Sequence, residues 1–332
     1  MKDSLHRVMQ IIKIVLLWRK RRLDVLYKNI EDLIGHTPLV ALERFSKAQG
    51  LSSVLYAKLE GYNPSGSMKD RVALALIKDA EASGRLKPGG TIYEATSGNT
   101  GIGLAAVGKA RGYRVVLVMP ETMSVERRKL MAIYGAEFVL TPGAEGMKGA
   151  IARAERLVQE TENSILAGQF EQEANPEMHY KTTGPEIWED TQGQIDTLIA
   201  GVGTGGSISG AGRFLKEKGK VRVYAVEPKA SPVLSGGQSG PHKIQGIGAG
   251  FVPKTLDQNI YDEIIQVDDQ DAFAMVRSLA ETEGIFAGVS SGAALWAACQ
   301  AARAGQKHIV AILPDQGARY LSMDALFDGS DN

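Results

Sequence analysis

The chain has 332 residues, the length of about two domains, and its 38 basic and 38 acidic side chains give a formal net charge of zero. That balance argues against a chain built as a whole to bind nucleic acid, and a hydrophobic content of 44% with 23% charged residues argues against disorder. The one cysteine, Cys299, excludes an intrachain disulfide and is typical of a reducing compartment, so we expect a cytoplasmic protein.

The first 28 residues form a basic extension. They carry a net charge of +6, which leaves −6 on the remaining 304 residues. An apolar stretch over residues 8–18 is too short to span a bilayer, which needs about 20 apolar residues. The basic cluster 19–22 follows this stretch, whereas a signal peptide has its basic residues first. We expect 1–28 to pack on the body or fray, without stable membrane insertion; a helix on a membrane surface is the alternative.

From residue 29 onward, apolar β-rich runs alternate with helical stretches. This alternation predicts an α/β fold with two doubly wound, mostly parallel sheets and helices on both faces. We place an N-terminal α/β domain at residues 29–170, whose earliest strand is free to cross to the other domain, and a C-terminal α/β domain at 171–327. The predicted strands are residues 91–95, 115–119, 137–140, 165–168, 196–200, 221–226, 264–267 and 308–313. The predicted helices are residues 100–111, 124–134, 147–160, 176–190, 207–218, 269–283 and 292–303.

Ligands of parallel sheets bind beyond the carboxyl ends of the strands, so loops at helix starts are the candidates for chemistry. Residues 63–71 (NPSGSMKDR) form a small polar loop that leads into a helix beginning near Lys69. A lysine there lies at the positive end of the helix dipole, which favours the neutral amine that a covalent lysine requires. An ordinary surface lysine is the alternative.

Two further loops follow strands and open helices. Residues 96–101 (TSGNTG) offer hydroxyl, amide and N–H groups to a carboxylate or another anion, more than helix capping alone needs. Residues 201–207 (GVGTGGS) are suited to a phosphate at a helix start. They also contain G-x-G-x-x-G, and Glu227 ends the next strand, so a nicotinamide dinucleotide enzyme is a competing interpretation. The combination with Lys69 favours a pyridoxal phosphate enzyme.

Eight motifs occur in order within residues 29–325. They are IGHTPLV at 34–40, NPSGSMKDR at 63–71, TSGNTG at 96–101, MPETMSVERRK at 119–129, TTGPEIWED at 182–190, GTGGS at 203–207, IQGIGAGF at 244–251 and GVSSG at 288–292. With these motifs the chain resembles the A-type cysteine synthases (O-acetylserine sulfhydrylases), which belong to the pyridoxal-phosphate-dependent β-replacement enzymes of the tryptophan synthase β-like fold (fold type II).

This resemblance implies pyridoxal 5′-phosphate in the cleft between the two domains and a role for each matching residue. Lys69 would form the Schiff base and act as the catalytic base. Asn99 would bond the ring hydroxyl oxygen, Ser290, favoured over its neighbour Ser291, would face the pyridine nitrogen, and Gly246 would lie near the substrate amino group. The phosphate would be held by Gly203, Thr204, Gly205, Gly206 and Ser207, and the substrate carboxylate by Thr96, Ser97, Asn99, Thr100 and Gln169.

The reaction implied by the resemblance is replacement of the acetate of O-acetyl-L-serine by sulfide, giving L-cysteine through an α-aminoacrylate intermediate. The alternatives are a cystathionine β-synthase-like enzyme, an enzyme that uses O-phosphoserine and, less favoured, a catalytically reduced partner of serine acetyltransferase. The resemblance further implies a homodimer and, as a candidate partner, the C-terminal tail of serine acetyltransferase.

The remaining conspicuous residues predict no chemistry. The five histidines lack metal-ligand spacing, so we expect no metal site. Cys299 lies in an alanine-rich helix and is expected to pack in the core.

Overall fold

The computed structural model describes residues 26–327, and the chain divides into two compact units, Met1–Leu33 and Ile34–Asn332. In the first unit, the described residues end in a short 3-10 helix, Ile30–Leu33. The Asn29 side-chain oxygen accepts two backbone N–H groups at the start of this turn. The apolar stretch and the basic cluster of the extension lie outside the described residues.

In the second unit, strands and helices alternate along the chain. The strands are β1 (Leu39–Leu42), β2 (Leu55–Leu59), β3 (Thr91–Ala95), β4 (Arg114–Pro120), β5 (Glu137–Thr141), β6 (Ser164–Leu166), β7 (Thr197–Gly201), β8 (Arg222–Pro228), β9 (Glu263–Val267) and β10 (Ile309–Leu313). The helices are α1 (Glu43–Ala48), α2 (Lys69–Ala82), α3 (Asn99–Ala110), α4 (Val125–Ile133), α5 (Gly146–Glu160), α6 (Ala174–Lys181), α7 (Thr183–Asp190), α8 (Gly206–Lys218), α9 (Asp269–Glu283), α10 (Val289–Arg303) and α11 (Asp324–Phe327).

These strands form two sheets. The larger sheet has the order β1-β2-β10-β7-β8-β9, and within it β1 and β2 are antiparallel while the other neighbours are parallel. The smaller sheet has the order β5-β4-β3-β6 and is parallel throughout. The prediction of an α/β fold with two mostly parallel sheets is confirmed.

Central strands are hydrophobic along nearly their whole length, as expected when both faces of a sheet are covered. Every residue of β10 (Ile-Val-Ala-Ile-Leu) is buried, and β4 and β8 are buried after their first residue. Cys299 lies on α10 in the core of the larger sheet, and burial raises the pKa of its thiol to about 11. Of the helices in the described residues, none is both long and apolar enough to cross a membrane.

Two predicted elements differ from the structure. The helix predicted over residues 176–190 is two helices, α6 and α7, because the backbone at Thr182 (φ −127°, ψ −68°) leaves the helical region. Pro185 lacks the N–H that a continuous helix would donate to the Lys181 carbonyl, and at the end of α6 both the backbone N–H and the hydroxyl of Thr182 donate to the Met178 carbonyl. The strand predicted over 165–168 ends at Leu166, and Gly168 turns the chain with φ +70°.

Each sheet has a position where the direction of winding reverses. In the smaller sheet, β4 and β5 lie on one side of β3 and β6 lies on the other. In the larger sheet, β8 and β9 lie on one side of β7 and β10 on the other. Crevices beyond the carboxyl ends of strands at such reversal points are where open α/β sheets bind ligands. The loops that follow β3, β7 and β10 therefore occupy the binding positions of this fold.

Candidate active site

A cleft of about 250 Å³ is lined by loops from both reversal points. Eleven of the predicted site residues line it: Lys69, Thr96, Asn99, Thr100, Gln169, Gly203, Thr204, Gly205, Ser207, Gly246 and Ser290. The other lining residues, to which the sequence analysis gave no individual role, are Met68, Gly98, Phe170, Gly201, Ile247, Ala249 and Pro314. The structure thus brings together residues from widely separated motifs.

Two predicted site residues, Ser97 and Gly206, belong to the same loops but are not among the residues that line the cleft. Gly206 is buried at the first position of α8, where a Cβ would lie 2.0 Å from the side-chain oxygen of Asn175. Ser290 lines the cleft, whereas Ser291 is fully buried and does not. This placement favours Ser290 over Ser291 as the residue that contacts a ligand.

Lys69 begins helix α2, and the loop before it is attached to the end of β10. Met68 donates its N–H to the Pro314 carbonyl (2.8 Å), and the Lys69 backbone N–H donates to the Ser67 hydroxyl (3.2 Å). The Lys69 side chain lines the cleft. Burial lowers its pKa to about 8, although the charge of Asp315 acts in the opposite direction. Such a lysine has a substantial free-amine fraction near neutral pH and can serve as nucleophile or base.

The loop that follows β7 is fixed by contacts around Thr204. Asn175 donates from its amide nitrogen to the Thr204 hydroxyl (3.0 Å), and Thr255 donates its hydroxyl to the Thr204 carbonyl (2.5 Å). Gly205 is left-handed (φ +82°), and a Cβ there would lie 2.6 Å from the Cβ of Leu256. The loop is thereby held around the start of α8, where unpaired N–H groups favour an anion.

Glycine in this loop also permits a close approach of two backbones. A Cβ at Gly203 would lie 2.3 Å from the carbonyl oxygen of Gly246, a distance that no side chain tolerates. The cleft wall at this point is therefore bare backbone. A concave backbone surface at a helix start, with a lysine of lowered pKa in the same cleft, fits the phosphate and the aldehyde carbon of pyridoxal phosphate.

The loop after β3 leads into α3, and two of its hydroxyl groups form hydrogen bonds at the start of that helix. Thr96 accepts the Gly98 N–H at its hydroxyl (3.2 Å), and Thr100 donates its hydroxyl to the Gln169 side-chain oxygen (2.5 Å). Gln169 also bonds the buried Glu94, whose pKa burial raises to about 7. The amide, hydroxyls and helix start at this end of the cleft suit a carboxylate ligand.

Sequence reasoning missed the polar residues that support the site. Asp315 is buried after β10, and its carboxylate accepts a hydrogen bond from Asn99 (2.6 Å). Arg319 donates to the side-chain oxygen of Asn99 and to the Ser65 carbonyl. Asn175 fixes the loop at residues 201–207 through its hydrogen bond to Thr204. A signal for Asp315 was present, since it lies two residues after the buried strand β10, and the loops at residues 96–101 and 201–207 likewise follow strands.

The dinucleotide interpretation fails at Glu227. The carboxylate is buried and already accepts from the N–H of Leu234 (2.7 Å) and from the N–H and hydroxyl of Ser235 (3.1 and 2.5 Å). It holds the next loop and is not presented to a ribose hydroxyl. The described residues also contain no group of three or more histidine, cysteine or carboxylate side chains placed to hold a metal ion.

A buried ionic network lies behind the start of α2. Arg71 donates to Glu60 (2.8 and 2.9 Å) and to Glu186 (two bonds of 2.7 Å), and Lys58 contacts Glu186 at 2.9 Å. Hydrogen bonds and charge from Arg71 and Lys58 outweigh burial and lower the pKa of Glu186 to about 2. The nearby His179 is buried, which lowers its pKa to about 3 and keeps it neutral. The network joins α7 to the helix that carries Lys69.

The cleft contains a lysine of lowered pKa and two helix starts that are suited to anions. Together with the two α/β sheets, these features indicate a class of enzyme that binds a phosphorylated carbonyl cofactor and the carboxylate of an amino acid. The chain belongs to the pyridoxal-phosphate dependent enzyme family, whose model matches residues 30–315.

The comparisons with individual proteins agree. A curated protein named cysteine synthase from Staphylococcus aureus is 54% identical over 298 residues, which cover 89% of this chain and 95% of that protein. The crystal structure of a cysteine synthase from Entamoeba histolytica has a TM-score of 0.87 at 44% identity and covers 91% of each chain. The crystal structure of an O-ureido-L-serine synthase has a TM-score of 0.87 at 45% identity, covering 92% of this chain and 97% of that one.

Proposed function

We propose that this chain is a pyridoxal-phosphate-dependent cysteine synthase, which replaces the acetate of O-acetyl-L-serine with sulfide to give L-cysteine. The observation that carries the proposal is the cleft itself. Lys69 lines it together with the loop at residues 201–207, which suits a phosphate, and the loop at residues 96–101, which suits a carboxylate. The relatives named cysteine synthase support the choice of substrate.

Lys69 performs the proton transfers. Bound pyridoxal phosphate supplies an electron sink for negative charge at the substrate Cα. Lys69 would hold the cofactor through its Nζ, and the same nitrogen, when free, would take the proton from the substrate Cα and later return it. A pKa of about 8 suits this exchange, because a base works best when its pKa is near the operating pH.

The other cleft residues bind and orient. Gly203, Gly205 and Ser207, with Thr204 and the buried Gly206, hold the phosphate at the start of α8. Thr96, Ser97, Asn99 and Thr100, with Gln169, hold the substrate carboxylate at the start of α3, and Gly246 lies beside the substrate amino group. Asn99 and Ser290 both line the cleft, and they would contact the ring hydroxyl oxygen and the pyridine nitrogen, respectively. A serine there stabilises a ring N–H⁺ less than a carboxylate would, which favours prompt loss of the Cβ substituent.

The test is an absorbance titration. The purified protein should be yellow, and Lys69→Ala should abolish the reducible cofactor adduct, while Lys78→Ala, an exposed lysine on the same helix, should retain it. O-Acetylserine should produce a new absorption band that sulfide discharges with release of cysteine. Unchanged absorbance with O-acetylserine, together with turnover of serine plus homocysteine or of O-phosphoserine, would overturn the substrate assignment.

O-Phosphoserine is the less favoured substrate on electrostatic grounds. Among the described residues that line the cleft, Lys69 is the one cationic side chain. A second phosphate would need further positive charge to be neutralised. A catalytically reduced binding protein is likewise less favoured, because the cleft holds both Lys69 and Asn99.

Location, assembly and domain division are part of the same proposal. We propose a cytoplasmic homodimer that binds the C-terminal tail of serine acetyltransferase in its cleft, and two domains at residues 29–170 and 171–327. Support comes from the single buried thiol of Cys299 and from the separation of the smaller sheet, built from residues 91–166, from the larger one. Light scattering, and competition between a synthetic tail peptide and O-acetylserine, test assembly and partner.

A further inference from the structure

Asp315 is a buried carboxylate that bonds the cleft residue Asn99, and the proposed reaction gives it no role. It is 2% exposed, and its Oδ2 accepts hydrogen bonds from the Asn99 amide and from the Tyr320 hydroxyl, both 2.6 Å long. Its Oδ1 is shut off from solvent and has no hydrogen-bond partner among the described residues. An unsatisfied buried oxygen costs folding free energy, so its retention calls for a functional explanation.

The backbone holds Asp315 next to the lysine. Residues 67 and 315 form an isolated antiparallel bridge, so Asp315 lies opposite the loop that leads into Lys69. Gly288 donates its N–H to the Asp315 carbonyl (3.0 Å). A Cβ at Gly288 would lie only 2.0 Å from Oδ1 of Asp315, so the carboxylate occupies space that a side chain would take.

Charged side chains interact with this carboxylate. The charges of Arg319 and Arg127 act on Asp315, the charge of Asp315 acts on Lys69, and the Tyr320 phenol donates a hydrogen bond to Asp315. Burial raises the pKa of Asp315, while the two hydrogen bonds and the charges of Arg319 and Arg127 act in the opposite direction. For Lys69, the negative charge of Asp315 favours the ammonium form and so opposes the effect of burial.

Asp315 also fixes the orientation of Asn99. The Asn99 amide nitrogen donates to Asp315, and its oxygen accepts from Arg319, which donates in turn to the Ser65 carbonyl. Each end of the amide therefore has a partner of the opposite kind, and a flipped amide would place N–H against guanidinium and oxygen against carboxylate. Asn99 presents its second amide hydrogen, a donor, to the cleft.

We propose that Asp315 is a positioning residue: it fixes Asn99 as a hydrogen-bond donor toward the cleft, and the 67–315 bridge places its carboxylate beside the start of α2, where its charge acts on the Lys69 amine. The identity of the group that Asn99 meets rests on the proposed function. The relation between Asp315 and Lys69 concerns this chain alone and holds for any substrate.

The test of the charge uses cofactor-free protein. Lys69 is acylated with an amine-directed reagent over a range of pH, and its labelling is followed by mass spectrometry. Asp315→Asn keeps the shape and an acceptor oxygen for Asn99 but removes the charge. The labelling midpoint, near pH 8 in the parent, should fall by about one pH unit, the lower end of the shift that an adjacent opposite charge produces. At neutral pH the variant lysine is therefore labelled faster.

Glu227→Gln is the matched control, because it removes a buried carboxylate from the same sheet that does not interact with Lys69. An unchanged midpoint in Asp315→Asn, or an equal shift in Glu227→Gln, would refute the electrostatic part of the proposal. Asp315→Ser, which is smaller and also keeps an acceptor, carries the same expectation should the asparagine variant fail to fold.

The orientation of Asn99 is tested by cofactor affinity. Asp315→Asn should bind pyridoxal phosphate within a few-fold of the parent, whereas Asp315→Ala, which leaves the Asn99 amide without its acceptor, should bind at least about ten-fold more weakly. Equal affinity of the two variants would contradict the proposal. Neither readout requires O-acetylserine, so failure of the proposed substrate and failure of this inference are distinguishable.

Discussion

Glu186→Gln is expected to destabilise the protein through the network behind Lys69. Glu186 accepts two bonds of 2.7 Å from Arg71, lies 2.9 Å from Lys58 and accepts the His36 N–H at 3.0 Å. Glutamine has nearly the same volume as glutamate but no charge. The buried cations Arg71 and Lys58 would therefore lose the negative charge of Glu186. Breaking a buried pair by removing one partner costs about 3–5 kcal/mol. We expect a loss of that size in the free energy of unfolding at pH 7.

The pH dependence gives a second estimate from the same carboxylate. The pKa of Glu186 is lowered from 4.5 to about 2, so its stabilising contribution is complete above pH 4.5 and is lost as the pH falls from 4.5 toward 2. At 1.36 kcal/mol for each pKa unit, that contribution is roughly 3 kcal/mol. The parent should show this loss below pH 4.5, and Glu186→Gln should not.

Urea unfolding followed by circular dichroism at pH 7 and pH 3 measures both effects. Glu189→Gln, which removes an exposed carboxylate from the same helix, is the control and should stay within about 0.5 kcal/mol of the parent. If Glu186→Gln and Glu189→Gln unfold at the same urea concentration, the network does not stabilise the fold and the reasoning is wrong.

Three further results are expected. Gly205→Ala, strained by its φ of +82° and by a Cβ 2.6 Å from Leu256, should weaken pyridoxal phosphate binding, as measured by absorbance titration. Ser290→Ala should shift the absorption maximum of the bound cofactor, whereas Ser291→Ala should leave it unchanged; the reverse order would reassign the ring-nitrogen contact. Cys299, with a thiol pKa of about 11, should react with a thiol reagent at pH 8 only after urea unfolding.

The sequence predicted the parts of the fold that depend on local pattern. Strands such as β4 and β10 are continuous apolar runs, and the helices between them carry regular apolar spacing, so their positions follow from composition. The three loops were recognisable because glycine and small polar residues come between a strand and a helix. These features lie within about ten residues of one another and need no knowledge of tertiary contacts.

The parts that were missed depend on contacts between distant segments. The earliest strand was expected to be free to cross to the other domain, but its partners were not predicted: β1 and β2 lie in the larger sheet beside β10, which comes from the other end of the chain. The hydrogen bond from Asp315 to Asn99 spans 216 positions. The break at Thr182 is a different case, because Pro185 lacks the N–H that a continuous helix would donate to the Lys181 carbonyl, and that signal was present in the sequence.

The pairing of β2 with β10 has a consequence for synthesis of the protein. The Gln316 side chain bonds the carbonyl of Gly61, 255 positions earlier, just before the loop that leads to Lys69. During synthesis, Lys69 therefore leaves the ribosome long before β10, the strand that leads to the cleft residue Pro314. Contacts of such sequence separation form slowly, and the unpaired edge of β2 is exposed to other chains during that wait. We therefore expect cofactor binding to belong to the last stage of folding, after release of the C-terminal residues.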